Sequence, residues 1–167
     1  MVDGDLSIDP WSSTQSTDYS RIIEQFGLSS LGNLTLPNPS HLHRRGIVFA
    51  HRDLELVLQA QKTGDKFGVL TGLMPSGRMH LGHSMVIEQV KWFQNLGGDV
   101  TIAVADLESQ ATRGVSLSKG REIALKEYVA NYAALGLNPD LTNVYFQSTR
   151  ADVQRLGFQL GKRTNLS

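Results

Sequence analysis

Two histidines three residues apart, His80 and His83, close the string Thr71-Gly72-Leu73-Met74-Pro75-Ser76-Gly77-Arg78-Met79-His80-Leu81-Gly82-His83. Imidazole nitrogens donate to phosphate oxygens, and a spacing of three puts both rings on one side of a helical turn. The apolar run Phe67 to Leu70 precedes the string, and a helical pattern from Ser84 to Leu96 follows it. A strand that breaks through glycines and a proline into a helix N-terminus makes an anion site, because first-turn N–H groups and the helix dipole face the incoming charge. Gly82 carries no side chain, so a flat ring or a phosphate can approach the backbone there. Gly72, Pro75, Ser76 and Gly77 fall in the strand-to-helix loop, the place where open parallel sheets bind nucleotides. The competing role for the histidines is capping a helix or filling a core. Zinc needs a third ligand, and His41, His43 and His51 sit in or beside a separate loop, so no protein-bound metal is expected.

The elements that must position this string read as alternating strands and helices. Phe67 to Leu70 is a strand, and the helix after His83 sets Val86, Val90 and Phe93 on one face before Gly97-Gly98 stop it. Asp99 to Ala105 is a β-prone run continuous enough for a sheet buried on both sides. A helix from about Ser118 to Leu135 ends at Gly136, Val144 to Gln147 forms the third strand, and a further helix starts over Asp152 to Leu160. The predicted fold is α/β: the first half of a Rossmann-type parallel sheet, joined right-handedly, with helices on both faces. A partly irregular extension with short helices, residues 1–64, precedes this unit of 65–167. Within it, residues 1 to about 18 read as an extended or mobile arm, Asp18 caps a short helix through Phe26, a loop carries Pro37 and Pro39, and His51 opens a helix running to about Thr63.

Glu108, in Asp106-Leu107-Glu108, follows the second strand at its C-terminal edge and faces the same crevice. A carboxylate there can accept a hydrogen bond from a donor-only group such as an indole N–H. An N-cap or a solvated acid is the alternative.

Composition narrows the classes. The 167 residues, 40% of them hydrophobic, suffice for one core with little room for a second full domain. With no cysteines, disulfides and thiolate chemistry are excluded. No signal peptide and no membrane span are visible, so a soluble cytoplasmic protein is expected. The 16 basic and 16 acidic residues balance, which gives a nucleic-acid partner no support from charge.

The thirteen-residue string resembles the ATP signature of class I aminoacyl-tRNA synthetases, here His80-Leu81-Gly82-His83, and Pro75-Ser76-Gly77 narrows it to the subgroup that activates tyrosine or tryptophan. Ile8-Asp9-Pro10-Trp11 and Val48 to Asp53 look like N-terminal elements of the archaeal and eukaryotic tryptophan-activating enzymes. The resemblance implies ATP along Gly72 to Gly77 with its base near Gly82, magnesium as the ATP counter-ion, and His80 and His83 as catalytic residues. It implies Glu108 against the substrate indole, with tryptophan, ATP and tRNA(Trp) as partners and a homodimer for the complete enzyme. Two positions depart from the relatives: Leu70 stands where they carry tyrosine, and Ala103 where they carry glutamine. Ser116-Leu117-Ser118-Lys119-Gly120 is similar to the second class I signature, but it lies in the crossover between strands two and three and lacks the first lysine. It reads as structure, with Ser118 as N-cap.

The chain is therefore expected to be the N-terminal portion of a longer ligase, because its first strand would otherwise be left as an apolar edge. Alone it is expected to be inactive. Other readings are a tyrosine–tRNA ligase, a His-x-Gly-His nucleotidylyl transferase complete in one lobe, and a non-catalytic truncated paralogue.

Overall fold

In a computed structural model of the chain, residues 19–163 are described. The expected arm over residues 1 to 18, with its Ile8–Trp11 element and the cap at Asp18, lies outside them. The chain divides into two compact units, Met1–Thr63 and Gly64–Ser167.

In the first unit, α1 (Tyr19–Gln25) leads to a two-residue strand β1 (Ser29–Ser30), a short α2 (His41–Arg44), strand β2 (Ala50–His51) and α3 (Leu54–Thr63). The strands pair antiparallel, Ser29 with His51 and Ser30 with Ala50. His51 therefore belongs to a strand, where the sequence predicts the start of a helix. Asp53, at φ +56°, turns the chain between the two elements. Two-residue strands carry no hydrophobic period, so the loop expected here hides a β pair. Ser40 caps α2: its backbone N–H donates to His43 Nδ1 at 3.0 Å, and its side chain accepts from the His43 amide.

The second unit is a parallel sheet of three strands in the order β3–β4–β5, where β3 is Gly68–Leu73, β4 is Asp99–Val104 and β5 is Thr142–Phe146. The register runs from Gly68 opposite Asp99 to Leu73 opposite Val104. Strand β3 thus continues three residues past Leu70, where the sequence predicts a loop. Pairing with the β-prone β4 overrides the weak local preference of Thr71-Gly72-Leu73.

Helix α4 (Leu81–Asn95) makes the first crossover. The second comprises α5 (Asp106–Arg113), α6 (Leu117–Ile123), a wide π turn over Ala124–Val129, and α7 (Ala130–Ala134). Helix α8 (Ala151–Leu160) follows β5. Ile87 and Val90 of α4 join Val100 and Ile102 of β4, Tyr128, Tyr132 and Leu137 in one core cluster, with Val69, Leu73 and Val144 packed against it. Strand alternation puts these sheet residues on one face, as two successive right-handed connections stepping the same way require. The buried stripe of α4 is Ile87, Val90, Trp92 and Gln94, while Val86, expected inside, is exposed. Buried Gln94 ties α4 to the approach to β5: its Nε2 donates to Thr142 Oγ1 at 2.8 Å, and its Oε1 accepts from the Asn138 amide at 2.8 Å. Ser116 caps α6, accepting from the Lys119 amide at 3.3 Å, with the Ser118 hydroxyl 3.2 Å from it. The predicted cap at Ser118 is thus corrected by two residues.

The turn from α4 into β4 closes on Gly98. A Cβ there would lie 2.6 Å from Phe67 Cε2, 2.7 Å from Val69 Cγ2 and 3.1 Å from the Phe93 carbonyl oxygen. The backbone contact cannot swing aside, so Gly98→Ala is expected to destabilise the fold by about 1–3 kcal/mol, the range for overpacking a filled site. A urea unfolding midpoint equal to wild type would show that the turn yields more than its contacts suggest.

Candidate functional site

The loop from Met74 to Met79 leaves the C-terminal end of β3 and enters α4. Pro75 is fully buried. The buried Ser109 hydroxyl of α5 donates to the Pro75 carbonyl at 3.1 Å. The phenol of Tyr128, in the π turn, donates to the Met74 carbonyl at 3.1 Å. Gly120 of α6 packs near the same proline, a Cβ there lying 3.7 Å from Pro75 Cγ. Within the loop the Ser76 amide also donates to the Met74 carbonyl at 2.9 Å, so side chains of the second crossover complete what a ladder would otherwise supply. Ser76 and Gly77 remain exposed beyond this anchored part.

The two histidines meet at the mouth of α4. His80 is the N-cap residue, with extended backbone, and His83 lies three residues into the helix. Their ring centroids are 4.0 Å apart. The His80 backbone N–H donates to His83 Nδ1 at 3.3 Å, which leaves the proton of the neutral His83 ring on Nε2, pointing away from the backbone. The edge of one ring meets the face of the other where His83 packs against Tyr128, centroids 5.5 Å apart at 79°. Gly82 has its space taken from within: a Cβ would sit 3.1 Å from His80 Cε1 and 3.2 Å from its Nδ1. The absent side chain makes room for the His80 imidazole at the helix entrance.

Burial lowers the His83 pKa below the ordinary imidazole value, and repulsion from His80 lowers it further. The ring is therefore neutral near pH 7, a donor through Nε2–H at the positive end of the helix dipole.

The remaining predicted residues are distributed differently. Gly72 lies in β3 opposite Ala103, not in the loop. Glu108 sits in the first turn of α5, exposed, at the C-terminal end of β4. Its neighbour Asp106 is the side chain that sequence reasoning passed over. Asp106 is 2% exposed, and its Oδ1 accepts from the amides of Leu107 at 3.1 Å and Ser148 at 3.0 Å, while Oδ2 accepts the Ser148 hydroxyl. This carboxylate ties the end of β4 to the turn after β5 and fixes the start of the helix that carries Glu108. An acid directly following a run as apolar as Ile102 to Ala105 is the signal that would have singled it out. Among the described residues no group of three or more His, Asp or Glu side chains gathers as a metal site, and no helix is long and apolar enough to cross a membrane.

Paired imidazoles on a helix N-terminus, at the C-terminal ends of parallel strands, match a known family. The sequence profile described as tRNA synthetases class I (W and Y) matches residues 61–167, and the chain belongs to that family. The tryptophan–tRNA ligase of Thermoplasma acidophilum is 49% identical over 160 residues, covering 96% of this chain and 36% of that protein. The crystal structure of tryptophanyl-tRNA synthetase from the archaeon Aeropyrum pernix K1 superposes with a TM-score of 0.82 at 38% identity, covering 95% of this chain and 45% of that one. A tryptophanyl-tRNA synthetase from Encephalitozoon cuniculi, solved bound to tryptophan, gives a TM-score of 0.74 at 28% identity, covering 89% of this chain and 47% of that one. The chain thus spans less than half the length of these relatives.

The lowered His83 pKa makes stability depend on pH. As pH falls below the ordinary imidazole value of about 6.5, the unfolded chain takes up a proton at His83 before the native state does, so stability drops. Above that value the contribution is fully present. Urea midpoints of the protein and of His83→Gln at pH 7 and pH 5.5 check this: the variant is expected to lose less stability on acidification. Equal losses would mean that His83 titrates alike in both states.

Proposed function

We propose that this chain is part of a tryptophan–tRNA ligase, and that its second unit is the first half of the catalytic domain. The observation that carries the reading is the His80–His83 pair at the mouth of α4, beside a loop pinned at Met74 and Pro75. The family and the tryptophan-bound relative support the choice of substrate. In the first step a carboxylate oxygen of tryptophan attacks the α-phosphorus of ATP. A new P–O bond forms, the bond to the β-phosphate oxygen breaks, and pyrophosphate leaves. In the second a ribose hydroxyl of tRNA(Trp) attacks the activated carbonyl, AMP departs, and the hydroxyl proton is lost.

The chain's own residues serve the first step. His83 donates from Nε2 to a phosphoryl oxygen as negative charge grows there, His80 stands beside it, and the first-turn N–H groups of α4 add the positive end of the dipole. Ser76, Gly77 and Gly82 line the approach, while Gly72 and Pro75 hold the strand end and the loop in place. Such preorganised donors stabilise charge without any covalent role for the protein. Glu108, whose carboxylate has no partner among the described residues, is the acceptor for the indole N–H.

A protein-held magnesium does not fit the imidazoles and amides at this loop, since Mg²⁺ asks for oxygen ligands in octahedral geometry. It accompanies ATP as counter-ion, and no step is assigned to it. The family reading extends to a cytoplasmic homodimer, which light scattering on the full-length protein would test.

Two substitutions in the full-length protein test the assignment. His83→Ala is expected to slow tryptophan-dependent ATP–pyrophosphate exchange by about 2.7–4 kcal/mol of transition-state stabilisation, with little change in the KM for tryptophan. Exchange within a few-fold of wild type would remove His83 from the chemistry. Glu108→Gln is expected to weaken tryptophan binding by about 1–3 kcal/mol and leave ATP binding unaltered. Calorimetry with unchanged tryptophan affinity would return Glu108 to a solvated helix start.

A further inference from the structure

The helix of the second crossover buries Gly120, Ala124, Tyr128 and Tyr132, a series with a spacing of four. In a uniform α-helix of 3.6 residues per turn, each step of four overshoots a full turn by about 40°, so three steps would carry the last residue about 120° round the axis. The series stays buried because the helix opens into a π turn over Ala124–Val129, where each residue advances less around the axis. A π turn sacrifices regular hydrogen-bond geometry, so it persists where the displaced side chain makes contacts that compensate.

Here that side chain is Tyr128. Its ring is fully buried, its hydroxyl donates to the Met74 carbonyl at 3.1 Å, and its ring stands edge-to-face with His83 at 5.5 Å and with Tyr132 at 6.5 Å. One residue thus touches both halves of the candidate site, the loop before Pro75 and the imidazole on α4. We propose that Tyr128, seated by the π turn, is a positioning residue that fixes the nucleotide loop through its hydroxyl and the His83 ring through its aromatic face. The proposal rests on the function argued above, in which the loop and His83 receive ATP. Met74 and His83 belong to the loop and helix that follow one strand, and nothing in their local sequence sets the distance between them. Tyr128 sets it from the second crossover.

Burial raises the Tyr128 phenol above its ordinary value, against the pull of the Ser76 backbone, so the hydroxyl keeps its proton and remains a donor. The same ring keeps water from one side of His83, in accord with burial as the main cause of that histidine's lowered pKa. His80, from the same helix, is the other titratable group facing it.

Two variants of the full-length protein separate the two contacts. Tyr128→Phe keeps the ring and removes the hydroxyl. It is expected to raise the KM for ATP in pyrophosphate exchange about tenfold and leave the KM for tryptophan within about twofold, since only the loop loses its tie. Tyr128→Leu also removes the aromatic face, and the His83 ring, followed by NMR, is expected to titrate at a higher pH than in wild type or in Tyr128→Phe. A general loss of packing would lower stability without splitting the two KM values. An unchanged ATP KM in Tyr128→Phe overturns the loop tie, and an unchanged His83 titration in Tyr128→Leu overturns the contact with the imidazole; the proposal stands only with both effects. A wild-type protein without tryptophan-dependent exchange would instead overturn the functional reading and with it the loop tie to ATP, while the His83 titration, which needs no activity, would still decide the ring contact.

Discussion

The loop between β3 and α4 has no ladder of its own to satisfy its carbonyls, and it must nevertheless be rigid if donors around it are to face a phosphate. That constraint organises the second unit. The Met74 and Pro75 carbonyls receive hydrogen bonds from Tyr128 and Ser109, both supplied by the crossover between β4 and β5. The crossover is therefore more than a connection. Its first helix, α5, carries Ser109 one residue after Glu108, and its later turns carry Tyr128. Each contact is a neutral hydrogen bond of modest net worth. The Met74 carbonyl also accepts from the Ser76 amide at 2.9 Å, while leaving the Pro75 carbonyl unpaired would cost more than its bond contributes.

The same economy of fixed contacts appears at the strand ends. Asp106 is a buried carboxylate with three acceptor contacts, two of them to Ser148, so β4 and the turn after β5 are joined where a parallel sheet would otherwise splay. Gln94 does the corresponding work at the other end of the sheet, between α4 and the residues entering β5. Polar side chains thus lock both ends of a sheet whose middle is held by the parallel ladders and apolar packing.

Electrostatics at the mouth of α4 follow from this rigidity. Two imidazoles held 4.0 Å apart disfavour a second charge, and burial already favours the neutral form of His83. A neutral donor at a helix N-terminus polarises toward an incoming anion without a counter-charge of its own that must be desolvated. Arg78 is exposed in the same loop, outside the buried contacts.

Much of this was legible in the residues. The β-prone run of β4, the glycine stops, the order of the three parallel strands with a helix after each and the His80–His83 pair follow from local preferences and spacing, because each is decided within a few neighbours. Helix α5 (Asp106–Arg113), ahead of the helix expected from Ser118, was not foreseen. The string from Thr71 to His83 sufficed to place the chain in its family. Other features needed the fold. Gly72 became strand because a partner strand lay beside it, β1 and β2 were too short to have a period, and Asp106 and Tyr128 gained their roles from residues 42 and 54 positions away in sequence. The spacing of Gly120, Ala124, Tyr128 and Tyr132 was visible from the start, but only a helix that widens into a π turn could make one face of it. Local sequence determines which elements form and which chemistry they carry. Tertiary packing decides which side chains hold the site, since a hydrogen bond or ring contact between distant segments depends on a distance that no short stretch of chain encodes.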